Sequence, residues 1–400
     1  MLYEAIPVMN ENLKHLCLHM WSGIHITPEG YIHLCGISKE QVLGLTPPHI
    51  DDIENLQDFF NTDYFIKYRN MKVEENEVCI ACTRRENSSV NSLRNMLPRK
   101  YGKNGISTNF KIDDCKIEHL DVCFNNLCNQ QCLMCKSECS SKWFMFDKQN
   151  AKTKFNRKPV KYKHWTTEQN MKKIFDLLPQ LKILQIKGGE PLIQNEVKRM
   201  LLHIVEQELD VNVEFLSNFQ ELSDEMLTIL HNLKNLSLRI SLDSSGKMYN
   251  WTRGGNWDKT IQNLEKFMKG RKNKVELGYT NTLNRWSYKN LIEDIKKVEE
   301  INGRFCEGVT NYNILPIIGP KYTSPFAAPL DERIEFIYNF EKEYGFITKD
   351  SIQYKTLKLN HLFNILSLEN DPLDLDEELV KMSDKWKQKI DELRNNINNK

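Results

Sequence analysis

Short apolar runs alternate with helical segments from about residue 116 to the end of the chain. Six runs rich in β-branched residues predict strands, and they are Ile117–Phe124, Ile183–Ile186, Val211–Leu216, Leu236–Leu242, Val275–Thr280 and Thr310–Leu315. Between these runs the apolar residues recur every three or four positions, and Thr166 or Thr167, and later Ser223, stand where helices would begin. Strands that alternate with helices favour a parallel α/β sheet, either doubly wound or a partial (β/α)6 TIM-like barrel. Ligands bind at the carboxyl ends of the strands in both architectures.

The first hundred residues follow another pattern. Gly23–Ile26 and Tyr31–Leu34 predict a hairpin around a Pro-Glu-Gly turn, and Leu56–Phe60 and Phe65–Met71 predict short helices. Too little apolar sequence accumulates there for a large core, which favours a small module held together by cysteines. We therefore expect an N-terminal module over residues 1–105, a barrel over 106–325 and a C-terminal helical region over 326–400. A charged amphipathic helix is predicted for Asp376–Lys400.

Composition narrows the classes of protein. The 400 residues carry 55 basic and 54 acidic side chains, so the net charge of +1 gives no general attraction to nucleic acid. No run of about 18 apolar residues occurs, which excludes a membrane-spanning helix. The amino terminus lacks a secretory pattern, and we expect a cytoplasmic protein. In a reducing compartment the 11 cysteines indicate metal or cluster ligands more than disulfides.

Three of the cysteines follow the first predicted strand in the sequence CNQQCLMC. Cys128, Cys132 and Cys135 form a C-x3-C-x2-C pattern, which suits a soft metal centre. Four thiolates complete a [4Fe–4S] cluster, whereas three leave one iron open, as a catalytic metal requires. Cys139 offers the alternative of a fourth ligand, which would make a closed electron-transfer or zinc site.

Polar residues stand at the ends of the next predicted strands. Paired glycines let a ligand approach the backbone, and a carboxylate beside them accepts hydrogen bonds from an ammonium group. Small polar side chains can bind hydroxyl or carboxylate groups. The candidates are Gly188, Gly189 and Glu190 after the second strand, Ser217 and Asn218 after the third, and Ser241 and Asp243 after the fourth.

The three-cysteine sequence resembles the cluster motif of radical S-adenosylmethionine (SAM) enzymes. The resemblance implies that SAM binds the open iron and is cleaved reductively to a 5′-deoxyadenosyl radical, which abstracts hydrogen from a substrate. It also implies that the Gly-Gly-Glu sequence holds the amino group of SAM, and that the small polar residues and Met134 contact the cofactor. The family usually has an aromatic residue at the position of Met134. Arg253 lies in a segment similar to one in relatives with auxiliary clusters, where it would pair with a carboxylate or phosphate, or form a surface salt bridge.

Cys17, Cys35, Cys79 and Cys82 form a second set. Four thiolates fit either zinc or a fully ligated iron–sulfur cluster, and His25 or His33 would substitute in a zinc version. The module resembles the twitch domain, a shortened relative of the SPASM domain, which implies an auxiliary [4Fe–4S] cluster.

The substrate is less well defined. Lys152–Lys163 is basic with interleaved aromatic residues, which fits a phosphorylated, nucleotide or acidic peptide substrate, or an ordinary solvated loop. By analogy with auxiliary-cluster relatives we expect a peptide or protein substrate, and a carbohydrate or nucleotide is the alternative. A reductant such as flavodoxin or ferredoxin is the expected partner. The alternative from another class is a non-catalytic zinc or iron–sulfur adaptor.

Overall fold

The computed structural model describes residues 15–38, 40, 43–87, 92–106, 110–149, 164–271, 273, 275–305, 311–316, 323–325 and 328–344, with positions 384, 387–388, 390–392 and 395. The strands are β1 (Gly23–Ile26), β2 (Ile32–His33), β3 (His119–Cys123), β4 (Ile183–Lys187), β5 (Asn212–Ser217), β6 (Asn235–Ser241), β7 (Val275–Leu283) and β8 (Asn311–Pro316). The first helices are α1 (His19–Ser22), α2 (Leu56–Phe60), α3 (Asp63–Arg69), α4 (Ile80–Asn87), α5 (Leu93–Lys103), α6 (Ser141–Gln149) and α7 (Glu168–Leu177). The others are α8 (Asn195–Glu206), α9 (Asp224–Asn232), α10 (Gly246–Arg253), α11 (Trp257–Gly270), α12 (Leu291–Phe305) and α13 (Leu330–Tyr344).

The predicted α/β class is confirmed. Each strand from β3 to β8 is followed by at least one helix before the next strand or the end of the described chain, which is the alternation of a partial (β/α)6 barrel. The predicted helix starts are also correct, because the Thr167 side chain accepts a hydrogen bond from Asn170 N and the Ser223 hydroxyl accepts one from Met226 N.

Contacts within the chain define two units. The first lies within Met1–Asn126, Val160–Phe215 and Asn232–Leu236, and the second within Leu127–Pro159, Leu216–His231 and Ser237–Lys400. The predicted boundaries at residues 105 and 325 remain a prediction.

The sheet of the first unit has the strand order β2-β1-β3-β4-β5. Strand β1 pairs antiparallel with β2 and parallel with β3, and β3, β4 and β5 continue in parallel. The predicted hairpin therefore exists, with β2 shorter than expected, but it is not a separate small sheet. It extends the parallel sheet because Gly23–Ile26 aligns residue for residue with His119–Val122.

The two faces of this sheet differ in polarity. Directly paired residues of neighbouring strands point to the same face, so the registers assign each side chain to a face. One face is apolar and at most 2% exposed, and it consists of Ile24, Ile26, Ile32, Leu120, Val122, Leu184, Ile186, Val213 and Phe215. The opposite face carries His25, His33, His119, Asp121, Cys123, Gln185, Lys187 and Glu214. A sheet with a purely structural role would not need polar side chains on this face. The polar face is therefore a candidate site for binding or catalysis.

In the second unit, β7 lies between β6 and β8 and pairs with β8 in parallel. The described positions of the predicted tail helix are helical, and Ile390 packs with Leu133 and Trp143. The basic stretch Lys152–Lys163 lies outside the described residues. Across the part of the chain that the structure describes, every helix is too short or too polar to cross a bilayer.

Candidate active site

The first cysteine group lies on the segment Cys128–Cys135, here called the three-cysteine loop, which begins five residues after β3 ends. Cys132 is 6% exposed, whereas Cys128 and Cys135 are partly exposed. Gln131 N donates to Arg253 O at 3.2 Å and Leu133 N donates to Thr252 O at 2.9 Å. The loop is therefore pinned through its own backbone to the end of α10.

The strand-end residues of this unit are engaged around the loop. Asn218 Nδ2 donates to Asn129 Oδ1 at 2.7 Å, and Asn218 Oδ1 accepts from Gln220 N at 2.9 Å. The Ser217 hydroxyl accepts from Phe219 N at 2.9 Å, while Ser241 ends β6 and Met134 is partly exposed. Asn218 thus supports the loop itself, and its predicted contact with the cofactor remains a prediction, as do those of Ser217, Ser241 and Met134.

Arg253 is not a surface residue. Its guanidinium forms an ion pair with Asp243, and the two side chains are 10% and 0% exposed. Arg253 Nε also donates to Gln130 Oε1 at 2.9 Å, and Asp243 Oδ1 accepts from Thr282 N at 2.7 Å. Of the sequence alternatives, pairing with a carboxylate is the one observed, but the carboxylate belongs to the protein.

Cys139 lies beside the loop and hydrogen-bonds with the Cys135 side chain. This contact, burial and the neighbouring thiolates of Cys132 and Cys128 raise the pKa of Cys135 well above its ordinary value. Cys139 therefore stays a candidate fourth ligand.

The Gly-Gly-Glu sequence lies in the first unit, directly after β4. Gly188 and Gly189 have φ of +80° and +55°, which favour glycine. A Cβ on Gly188 would lie 2.9 Å from Cys123 Cβ and 3.2 Å from Asn125 O, so any larger residue would displace the backbone. Glu190 is buried, and its carboxylate accepts a hydrogen bond from Leu192 N at 3.2 Å. Gly188 is thus needed for close packing against Cys123 and Asn125, and the predicted approach of a ligand to the glycines remains a prediction.

A polar cluster beside this turn was missed by the sequence analysis. Asp121 Oδ2 lies 2.7 Å from Lys187 Nζ and 3.2 Å from His25 Nδ1, and Asp121 Oδ1 has no hydrogen-bond partner among the described residues. Burial alone would raise the pKa of Asp121, but Lys187 and His25 hold it well below its ordinary value. The alternation of His119, Asp121 and Cys123 with Leu120 and Val122 is the signal that would have revealed a polar face.

The second cysteine group converges, as its chemistry suggested. Cys17, Cys35, Cys79 and Cys82 all line one cavity, here called the four-cysteine pocket. The histidine in its wall is His19, not His25 or His33, which face Asp121 and Glu40. The remaining lining is mainly apolar: Met20, Ile37, Val73, Val78, Ala81 and Leu93, with Arg94 as its charged member.

Burial dominates the electrostatics of the pocket. Desolvation and the neighbouring thiolates raise the pKa of Cys17 to about 11 and that of Cys35 to about 12. Burial lowers the pKa of His19 to about 3. His19 Nδ1 lies 3.1 Å from the Tyr101 hydroxyl, which lies 3.2 Å from His119 Nδ1. A metal bound here would therefore have to displace protons from the thiols.

Both cysteine groups offer the donor type that an iron–sulfur centre requires. The donors fit an iron–sulfur cluster in type, because each group is composed of thiols. Among the described residues, no three His, Cys, Asp or Glu side chains converge as a single metal ion needs. A four-iron cluster spreads its thiolates over different iron atoms, so the donor sets remain compatible with it.

Comparison with known proteins finds a family similarity. Residues 122–311 match the family model described as the Radical SAM superfamily, so this part of the chain resembles a radical SAM domain. The match encloses the three-cysteine loop, the Gly-Gly-Glu turn, Asp243 and Arg253. Members of this superfamily are enzymes that use a [4Fe–4S] cluster and SAM, so the match supports the prediction of an enzyme.

The similar solved structures are distant. SuiB of Streptococcus suis bound to S-adenosylmethionine is 17% identical with a TM-score of 0.34, covering 62% of this chain and 48% of that one. Native anSMEcpe with bound AdoMet is 14% identical with a TM-score of 0.38, covering 56% of this chain and 62% of that one. TYW1 with a lysine-pyruvate adduct is 14% identical with a TM-score of 0.32, covering 56% of this chain and 71% of that one. The chain thus spans less than two thirds of the first two, and no curated protein matches it.

Proposed function

We propose that the chain cleaves SAM reductively at a [4Fe–4S] cluster held by Cys128, Cys132 and Cys135. The observation that carries the proposal is the presence of the three-cysteine loop inside the Radical SAM match. When bound, the cluster supplies one electron to the sulfonium of SAM, giving methionine and a 5′-deoxyadenosyl radical that takes a hydrogen atom from substrate.

The chain's own residues have separate tasks in this proposal. The three-cysteine loop provides thiolates from a backbone that is fixed by hydrogen bonds to Thr252 and Arg253, so the ligands are preorganised. Gly188 and Gly189 allow the positive φ angles of the turn that places Glu190 after the strand, and the buried carboxylate of Glu190 suits an ammonium group. The apolar packing of Leu133, Trp143 and Ile390 supports the loop from within the second unit.

We further propose that the four-cysteine pocket holds an auxiliary [4Fe–4S] cluster, and that the first unit's module is of the twitch type. Four thiols that line one mainly apolar cavity support a fully ligated centre. A peptide or protein is the substrate class we propose, on the resemblance of this module alone. A small electron-transfer protein such as flavodoxin or ferredoxin would reduce the enzyme.

The test is SAM cleavage by full-length protein that has been reconstituted and reduced without oxygen. We expect 5′-deoxyadenosine and methionine from the wild type and none from Cys132→Ala. Absence of both products from fully loaded, reduced wild type would refute the proposal.

The variant Cys139→Ser tests whether the cluster on the three-cysteine loop has three protein ligands or four. We expect this variant to retain its iron and its SAM cleavage, because SAM and not Cys139 completes the cluster. Loss of about four irons per chain together with activity would instead make Cys139 a ligand.

A further inference from the structure

A buried glutamine inside the three-cysteine loop connects it to charged groups of the same unit. Gln130 is 0% exposed. Its Oε1 accepts from Arg253 Nε at 2.9 Å and lies 3.6 Å from Cys132 Sγ. Its Nε2 donates to the Tyr249 hydroxyl and to Gln220 Oε1, each at 3.1 Å. The amide is held at both ends, so it fixes the position of Arg253 beside Cys132.

The charges of this network are as buried as its amide. Burial alone would lower the pKa of Arg253, but the negative charges of Cys132 and Asp243 raise it well above its ordinary value. The negative charges of Cys132 and Asp243 therefore both stabilise the protonated guanidinium of Arg253. Buried ion pairs are often no more stabilising than apolar residues of the same volume. Stability is accordingly a weak reason for placing this pair next to a cluster ligand.

We propose that Arg253, oriented by Gln130 and partly neutralised by Asp243, sets the reduction potential of the cluster on the three-cysteine loop. The inference rests on the proposed function, because it requires that cluster. Reduction by one electron makes the cluster and its thiolates more negative by one charge. A fixed positive charge beside Cys132 favours the reduced form, and the carboxylate of Asp243 weakens that effect. Arg253 and Gln130 are thus positioning residues that act through Cys132.

The proposal predicts opposite shifts for the two charges. Asp243→Asn keeps the shape and the acceptor for Thr282 N but leaves Arg253 uncompensated, so the cluster becomes easier to reduce. Arg253→Gln removes the positive charge, so the cluster becomes harder to reduce. We expect each to change the oxidised-to-reduced ratio at a given applied potential by about tenfold, which equals about 59 mV for one electron. The double variant should fall between them, and Arg253→Lys should stay near the wild type.

The experiment is a redox titration of full-length, reconstituted protein followed by electron paramagnetic resonance. The signal that Cys132→Ala lacks identifies the relevant cluster. Arg199→Gln is the control, because it removes a guanidinium from an exposed ion pair with Glu168 and should leave the potential unchanged. If Arg253→Gln does not fold, the upward shift in Asp243→Asn decides the question.

Two results would overturn the inference alone. They are unchanged potentials in the folded variants, or shifts of the same sign for Asp243→Asn and Arg253→Gln, with SAM cleavage intact in the wild type. A wild type that shows neither a cluster signal nor SAM cleavage would overturn the proposed function and this inference with it.

Discussion

The three-cysteine loop and the four-cysteine pocket differ in how the fold supplies their thiols. The loop brings its cysteines together within eight residues, and polar side chains in it and beside it form hydrogen bonds around them, namely Asn129, Gln130 and Arg253. The pocket collects its cysteines from positions 17 to 82 and surrounds them mainly with apolar side chains. Each group also has one arginine that pairs with a carboxylate, Arg253 with Asp243 and Arg94 with Glu86.

The different surroundings of the loop and the pocket suit different uses of a cluster. A loop with three ligand cysteines depends on hydrogen bonds from outside the loop, and its polar surroundings suit a centre that exchanges a ligand. A pocket that supplies four thiols needs no external ligand, and its apolar lining suits a centre that only transfers electrons or positions substrate. If both clusters that we propose are present, these surroundings would distinguish an open centre on the loop from a closed one in the pocket.

Removing one cysteine from each group is the strongest test of this separation. Cys132→Ala should abolish SAM cleavage, and Cys79→Ala should leave measurable cleavage, because only the loop provides the open iron. Each variant should lose about four of about eight irons per chain. Iron analysis and product chromatography on anaerobically reconstituted protein give both quantities.

Two outcomes would break the comparison. A wild type with about four irons would leave the pocket without a cluster. Complete loss of SAM cleavage in Cys79→Ala, at unchanged iron on the loop, would mean that the two groups do not have separate tasks.

A glycine next to Gln130 provides a smaller test of the loop's external support. A Cβ on Gly255 would collide with Gln130 Nε2 and lie 2.6 Å from Gln220 Oε1. Because Gln130 is buried and bonded at both ends, Gly255→Ala must disturb those hydrogen bonds. We expect a loss of about 1–3 kcal/mol in the free energy of unfolding, and less iron on the loop.

Gly303 offers the matched control, because a Cβ there meets no atom within 4 Å. Gly303 lies in α12, so Gly303→Ala should stabilise the protein by about 0.5–1 kcal/mol. Urea unfolding of the two variants measures both effects. Equal stability of Gly255→Ala and the wild type would show that the loop does not depend on the Gln130 contacts.

The sequence predicted the parts of the fold that are local. Strand β4 was expected at Ile183–Ile186 and is Ile183–Lys187, and the caps Thr167 and Ser223 were located correctly, because each depends on neighbouring residues. The three-cysteine loop was likewise visible as a short spacing. The pairing of β1 with β3 could not be predicted from the sequence, because it joins residues almost a hundred positions apart.

The network around Gln130 could not be predicted for the same reason. Gln130 and Arg253 are separated by 123 positions, and a single buried glutamine has no periodic pattern. Arg253 was expected as a ligand contact or a surface pair, because the sequence does not reveal that Asp243 shares its buried environment. In the pocket, thiol chemistry suggested convergence, but only the fold identifies His19 as the histidine in its wall.

The last expected effect is a difference in alkaline stability of the metal-free protein. The pKa of Cys17 is raised from 9.0 to about 11 and that of Cys35 from 9.0 to about 12. As pH rises from about 8 to about 10, the unfolded chain releases these protons while the folded pocket retains them, so stability falls. The slope is at most about 1.4 kcal/mol per pH unit for each thiol.

Replacing Cys17 and Cys35 with Ala should flatten the dependence of the urea midpoint on pH. Cys135→Ala should flatten it less, because it removes only one of the thiols with a raised pKa. An equal or larger flattening by Cys135→Ala would show that the raised pKa values of Cys17 and Cys35 do not set the alkaline stability, and the electrostatic role assigned to the apolar pocket would fail with it.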